Sequence, residues 1–220
     1  RVHEETDDVP YYCPVNEISF FSWAGGEGGH LNPYAFGRSF ELKQQLVRAA
    51  IEGMEAVWSV DPRARIVHTD PVIHIIPHPS RPHERAEAEG YRTAQYQGWD
   101  MLSGRLCPEL GGSERYLDII GANFYPNNEW VYRGPMIKRT QPQYKPLRRI
   151  LREVYERYRR PMFVSETSTE NRDRAPWLRY VAEEVFSAIE DGVPLHGICW
   201  YPIVNHPGWV DDRHCHNGLW

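Results

Sequence analysis

The run Tyr116-Leu-Asp-Ile-Ile-Gly-Ala-Asn-Phe-Tyr125 decides the fold. It is short, apolar at successive positions, and closes on an amide and a phenol. Apolar side chains that point alternately to opposite faces describe a strand covered on both sides, the condition of a parallel sheet. Four other stretches have the same form. Tyr12–Phe20 (YCPVNEISF) carries Asn16-Glu17, Ala64–Thr69 (ARIVHT) runs into Asp70, Pro161–Thr167 (PMFVSET) ends in Ser165-Glu166-Thr167, and Leu195–Tyr201 (LHGICWY) ends in Trp200-Tyr201. Each has polar or aromatic side chains at its C-terminal end.

Helical patterns separate these strands. Leu42, Leu46, Val47, Ala50, Met54 and Val57 recur at three- and four-residue steps and predict a helix over 39–58. Residues 84–103 read as a weaker helix interrupted by Gly90 and Gly98. Leu147, Ile150, Leu151, Val154 and Tyr158 form the stripe of a third, over 146–159, with Pro146 at its first position. The arginines on that helix, with Glu153 and Glu156 among them, read as a solvated face. Leu178 to Ile189 form the stripe of a fourth helix, over 175–191, with Gly192 as its C-cap. Residues 24–30 and 75–82 read as loops, and the tail from 202 as irregular. Strict alternation of strand and helix implies parallel strands with right-handed crossovers. Doubly wound sheets and barrels both satisfy it. The phosphate-binding glycine patterns that mark the former are absent, since residues 24–29 (AGGEGG) are not GxGxxG opening a helix.

Composition narrows the function classes. The chain has 220 residues, 41% hydrophobic and 25% charged, in the range of a globular domain, and is read as a single domain over 1–220. A net charge of -5 offers no basic field for nucleic acid. No apolar run reaches the ~18–20 residues of a membrane span. No signal-peptide pattern opens the chain, so a cytoplasmic location is expected. Four scattered cysteines build neither a disulfide framework nor a metal knuckle, and Cys13 and Cys199 read as small core residues.

The chemistry lies at the strand ends. In parallel α/β folds that edge holds the site, and a carboxylate at the end of an apolar strand is costly unless paired or used. Glu17 and Glu166 both stand there. Glycoside hydrolysis uses such a pair, one to protonate the leaving oxygen and one to attack the anomeric carbon or activate water. Asn16 beside the first suits a sugar hydroxyl, Tyr125 suits the second carboxylate, and Trp200 suits a sugar face. A metal reading competes: His68-x-Asp70-x3-His74-x3-His78 and Asp211 to His216 contain ligand types, but zinc needs three or four ligands converging at about 2.0–2.3 Å. A metal-dependent barrel hydrolase is the alternative from that class; no metal and no cofactor is expected.

The order of these motifs resembles the clan A glycoside hydrolases, and within them family 1, the β-glucosidase-like enzymes. Val15-Asn-Glu17 is similar to their Asn-Glu-Pro, Asp118–Tyr125 (DIIGANFY) to their Asp-Phe-Ile-Gly-x-Asn-Tyr-Tyr, Phe163-Val-Ser-Glu166 to their Thr-Glu-Asn-Gly strand, and His216-Asn-Gly-Leu219 to their Arg-Phe-Gly-Leu. The resemblance covers nearly the whole chain. It implies an α/β fold of the (β/α)8 TIM-barrel type, incomplete, with about five parallel strands and four to five helices equivalent to strands 4–8. It also implies a retaining mechanism on a carbohydrate or glycoside substrate, with Glu17 as general acid/base, Glu166 as nucleophile, Asn16 on the 2-hydroxyl, Tyr125 on the nucleophile and Trp200 as sugar platform. Asn123, His68 and Trp209 complete the expected substrate contacts. Ile18 replaces the proline after Asn-Glu, Thr167-Ser168 replaces Asn-Gly, and Asn205–Trp209 (NHPGW) stands where the family's Glu-Trp sugar clamp falls. These departures imply another sugar or aglycone. A non-catalytic sugar-binding protein or inactive fragment is the other reading.

Length bears on completeness. Strand starts recur roughly every 46 residues, so eight units need roughly 370 residues on the scale of larger barrels. The expectation is that strands 1–3 lie on an N-terminal segment upstream, that this chain holds both carboxylates but part of the pocket, and that it leaves open sheet edges.

Overall fold

In a computed structural model of the chain, residues 2–209 and 211–220 are described. In order, the elements are α1 (Val2–Glu5), β1 (Tyr11–Tyr12), α2 (Ile18–Gly26), α3 (Ser39–Val60), β2 (Arg65–Pro71), β3 (His74–Ile76), α4 (Arg85–Thr93), α5 (Gln97–Leu102), β4 (Ile119–Asn123) and β5 (Glu129–Val131). They continue as α6 (Leu147–Tyr158), β6 (Met162–Thr167), α7 (Arg174–Glu190), β7 (Leu195–Trp200), β8 (His206–Pro207) and β9 (His214–Cys215). The main sheet has the strand order β1-β2-β4-β6-β7, which follows the chain. β1–β2 and β6–β7 are parallel. This is the expected alternation, five strands rather than a closed eight. Short pairs lie outside it, β3 with β5 and β8 with β9. Two compact units interleave in sequence. The first runs to Pro71 and resumes over Thr93–Gly121; the second comprises Val72–Arg92 and Ala122–Trp220.

In the first unit α3 buries Val47, Ala50 and Met54 of the predicted stripe and also Ile51, while Leu42, Leu46 and Val57 are half-buried; Ile66 of β2 and Trp99, Met101 and Leu102 of α5 are also in the core. Each buried valine, leucine, isoleucine or methionine among them contributes about 1.5–3 kcal/mol on burial. Arg65 donates two hydrogen bonds to Asp118 (both 2.7 Å), and the Ile66 amide donates to the same carboxylate (3.1 Å).

Residues 18–26 depart from the sequence reading. The expected strand through Phe20 ends at Tyr12, and Ile18–Gly26 is a helix. Glu17 has φ 52 and ψ 58, a left-handed turn that ends the extended backbone. The small residues read as a loop are needed for close packing inside α2. A Cβ on Gly25 would lie 2.7 Å from the Asn32 carbonyl oxygen, and one on Gly26 would lie 2.7 Å from Ser39 Cα. The helix expected over 84–103 is broken by a 3-10 turn at Ala94–Tyr96.

In the second unit α6 buries the whole predicted stripe of Leu147, Ile150, Leu151, Val154 and Tyr158. α7 buries Val181, Val185 and Ala188, and Gly192 follows it at φ 86. The arginine face is not only solvated: Arg148 pairs with Glu184 (2.6 Å) and Arg152 with Asp191. Pro146 is the N-cap of α6 rather than its first residue. The expected loop over 75–82 begins within β3, and the tail contains the β8–β9 pair. Cys13 and Cys199, expected in the core, are exposed, while Cys215 is buried.

Candidate active site

In the first unit, Asn16 and Glu17 follow β1. The Glu17 amide donates to the Thr69 carbonyl (3.0 Å), which fixes the turn against the end of β2. The Thr69 hydroxyl donates to Asn16 Oδ1 (2.5 Å). Asn16 is exposed and Glu17 half-buried. Glu17 occupies the N-cap position of α2, but its side chain makes no capping hydrogen bond. The buried Asp70 takes that role, accepting the Ser19 amide on both oxygens (3.0 and 3.1 Å).

In the second unit, Tyr125 and Glu166 meet. The Tyr125 hydroxyl donates to Glu166 Oε2 (2.9 Å), and the Phe124 amide donates to the Glu166 carbonyl (2.9 Å). One backbone contact and one side-chain contact thus aim the carboxylate from the end of β6. The base of this strand end is closely supported. Ser165 Oγ donates to Oδ1 of the fully buried Asn123 (2.5 Å), and Trp177 Nε1 donates to Thr167 Oγ1 (2.8 Å) while stacking on Phe124 at 5.7 Å. Trp200 Nε1 donates to the Asn217 carbonyl (3.0 Å), which fixes the indole at the end of β7. Partial burial and the Glu166 charge push the Cys199 thiol up.

The remaining expected site residues are placed differently. His68 is buried, and its Nε2–H donates to the Tyr116 carbonyl (2.8 Å). Its Nδ1 has no hydrogen-bond partner, and burial lowers the imidazole to about 4. That is a neutral core histidine rather than a ligand facing an opening. Asn123 is likewise engaged inside the unit, and Trp209 is 79% exposed on the tail. Among the described residues no group of three or more His, Cys, Asp or Glu comes together as a metal site. Ser165, Trp177, Asp70 and Lys43 were missed as support. Asp70 carried the signal used for Glu17, a carboxylate closing an apolar strand.

A five-stranded sheet whose strand order follows the chain, with helices between the strands, is an α/β arrangement of the TIM-barrel type, here an incomplete barrel. No protein-family profile matches the chain, nor does any curated protein sequence. Solved structures do. A hyperthermophilic β-glucosidase mutant, described as forming a dodecamer in the crystal, is similar at TM-score 0.76 and 17% identity over 100% of this chain and 52% of that one. The β-glucosidase of Thermotoga maritima in complex with glucoimidazole is similar at 0.73 and 16%, over 94% and 57%. That of Pyrococcus furiosus is similar at 0.75 and 16%, over 100% and 50%. The chain therefore has a glycosidase fold and spans about half the length of these structures. No helix is long and apolar enough to cross a membrane among the described residues.

Proposed function

We propose that this chain supplies both catalytic carboxylates of a retaining β-glycoside hydrolase. Glu166 attacks the anomeric carbon while Glu17 protonates the departing glycosidic oxygen; Glu17 then takes a proton from the water that releases the sugar from Glu166. The observation that carries this reading is the 2.9 Å hydrogen bond from Tyr125 to Glu166 at the end of β6. A phenol donating to a carboxylate oxygen fixes its direction, which is what a nucleophile needs. The glycosidase fold and the left-handed backbone at Glu17 support the same reading, since such backbone clusters at functional sites. Asn16 is assigned to a sugar hydroxyl, Trp200 to the sugar face, and Trp209 to an outer contact. Asn123 acts on the substrate indirectly, through Ser165 and the β6 end, and His68 is assigned to the core. The substrate is a β-glycoside, and the N-terminal half of a full barrel is the expected partner of this half.

The experiment is substitution and trapping in the full protein. On aryl β-glycosides, Glu17→Gln is expected to lose about 10²–10⁴-fold in kcat/KM, least with the best leaving groups. Glu166→Gln is expected to lose turnover altogether. A 2-deoxy-2-fluoroglycoside should add one sugar mass to the peptide bearing Glu166. Full turnover by either variant would overturn the reading, and tryptophan quenching by sugars without turnover would point to a binding protein instead.

A further inference from the structure

Thr69 stands near the end of β2 and is 8% exposed. It holds both residues of the Asn16-Glu17 pair: its carbonyl accepts the Glu17 amide (3.0 Å), and its hydroxyl donates to Asn16 Oδ1 (2.5 Å). A third contact joins the hydroxyl, since Cys13 Sγ lies 3.4 Å from the same oxygen. A hydroxyl has one proton. With that proton on Asn16, the Thr69 oxygen is left as an acceptor, and the Cys13 thiol donates to it. The chain of donors therefore runs one way, from Cys13 through Thr69 to the amide oxygen of Asn16. All three residues belong to the first unit.

Packing alone does not explain a hydroxyl there. Valine has the shape of threonine, and the same strand buries Ile66 and Val67. A buried hydroxyl loses its water and needs a hydrogen bond to offset that. The turn does not need it either, because the Glu17 amide is held by the Thr69 backbone, which any residue supplies. What the hydroxyl adds is direction at Asn16. Asn16 is exposed, and the terminal torsion of an asparagine is broad, so an untethered amide can turn either edge to a ligand. With its oxygen held by the buried Thr69, the trigonal geometry of the amide turns Nδ2 away from that residue. Nδ2 carries two donors and no acceptor. Hydrogen bonds to a sugar 2-hydroxyl strengthen in the transition state of glycoside hydrolysis, so a donor held in place for that hydroxyl acts on kcat more than on KM.

We propose that Thr69 is a positioning residue for Asn16: its hydroxyl holds the amide oxygen, so that Asn16 meets the 2-hydroxyl of the sugar as a hydrogen-bond donor, through Nδ2. The site accordingly selects glycosides whose 2-position accepts a hydrogen bond. The inference rests on reading Asn16 as the contact to that hydroxyl in the proposed glycosidase.

The test compares two aryl β-glycosides on the full protein, one with its 2-hydroxyl and its 2-deoxy analogue. Thr69→Val keeps the shape and the backbone carbonyl and removes the hydroxyl; Thr69→Ser keeps the hydroxyl. On the first substrate Thr69→Val is expected to lose about tenfold in kcat/KM, mostly in kcat, and Thr69→Ser about twofold or less. On the 2-deoxy substrate both variants should stay within about twofold of the parent, because the contact they disturb is not made. An equal loss on both substrates would leave Thr69 as a residue of the fold only and overturn the inference, as would full activity of Thr69→Val on both. Nitrogen-15 relaxation of the Asn16 side-chain amide reads the tether without substrate: the amide should be rigid in the parent and in Thr69→Ser and mobile in Thr69→Val. If Thr69→Val does not fold, the parent decides, and an Asn16 amide that turns freely there would overturn the inference. The same measurement separates this inference from the functional reading. A rigid amide released by Thr69→Val, in a protein that turns over no glycoside, would keep the tether and reject the glycosidase; a mobile amide in an active glycosidase would reject the tether alone.

Discussion

The Tyr125 hydroxyl and Glu166 illustrate what one contact can be asked to do. A hydrogen bond to a charged group contributes roughly 1.5–3 kcal/mol, and here it is made at the end of a strand whose backbone is already fixed by the Phe124 amide. Tyr125→Phe is therefore expected to lower kcat about 10–100-fold on an aryl β-glycoside, with the thermal midpoint nearly unchanged because the ring still packs. A midpoint that fell together with activity would make Tyr125 a packing residue. Glu17 was read as closing a strand, but β1 stops at Tyr12 and Glu17 lies in a left-handed turn, which was not legible because only glycine advertises that conformation in a sequence. His68 was expected as a substrate contact from its place near the end of the second strand; in the structure it is buried, with its ring nitrogen bonded to the Tyr116 carbonyl.

At the scale of elements, two helix starts are completed by side chains distant in sequence. Glu17 opens α2 and Pro146 opens α6, and neither caps its helix. Asp70 serves Ser19 in the first, and in the second Glu184 accepts the Arg148 amide (3.0 Å) and guanidinium while Tyr180 accepts the Leu147 amide (3.2 Å). Glu184→Ala removes a cap and half of a partly buried ion pair. It is expected to cost about 1–2 kcal/mol, read as a lower denaturation midpoint with unchanged kinetics on any substrate. α6 itself was legible because its stripe of five apolar residues has no competing signal. α2 was not, because Gly25 and Gly26 read as chain breakers, while their role is to let the Asn32 and Ser39 backbone approach. β3 and β5 were missed for another reason: a three-residue strand has too few positions to show a period.

For the molecule as a whole, pH acts on stability through buried groups of opposite sign. Burial raises Glu129 to about 7 against the Lys145 amide and charge. The stability this group contributes is complete below its ordinary range and is lost as pH rises through 7. Burial lowers His68 and His74 to about 4, so the stability from keeping them neutral is complete above their ordinary range and is lost as pH falls toward 4. Glu129→Gln removes the first effect, so the midpoint of the variant relative to the parent should rise between pH 5 and pH 8 in calorimetry; a constant difference would exclude Glu129 as the source. Both helix starts have a consequence for the order of assembly. Ser19 and Asp70 are 51 residues apart, Arg148 and Glu184 are 36 apart, and loops of that length close late. As the chain leaves the ribosome, α2 is synthesised well before the strand that completes its first turn. The helix carrying Glu17 becomes native only once β2 has emerged, so the proposed acid is put in place by the same event that pairs β1 with β2.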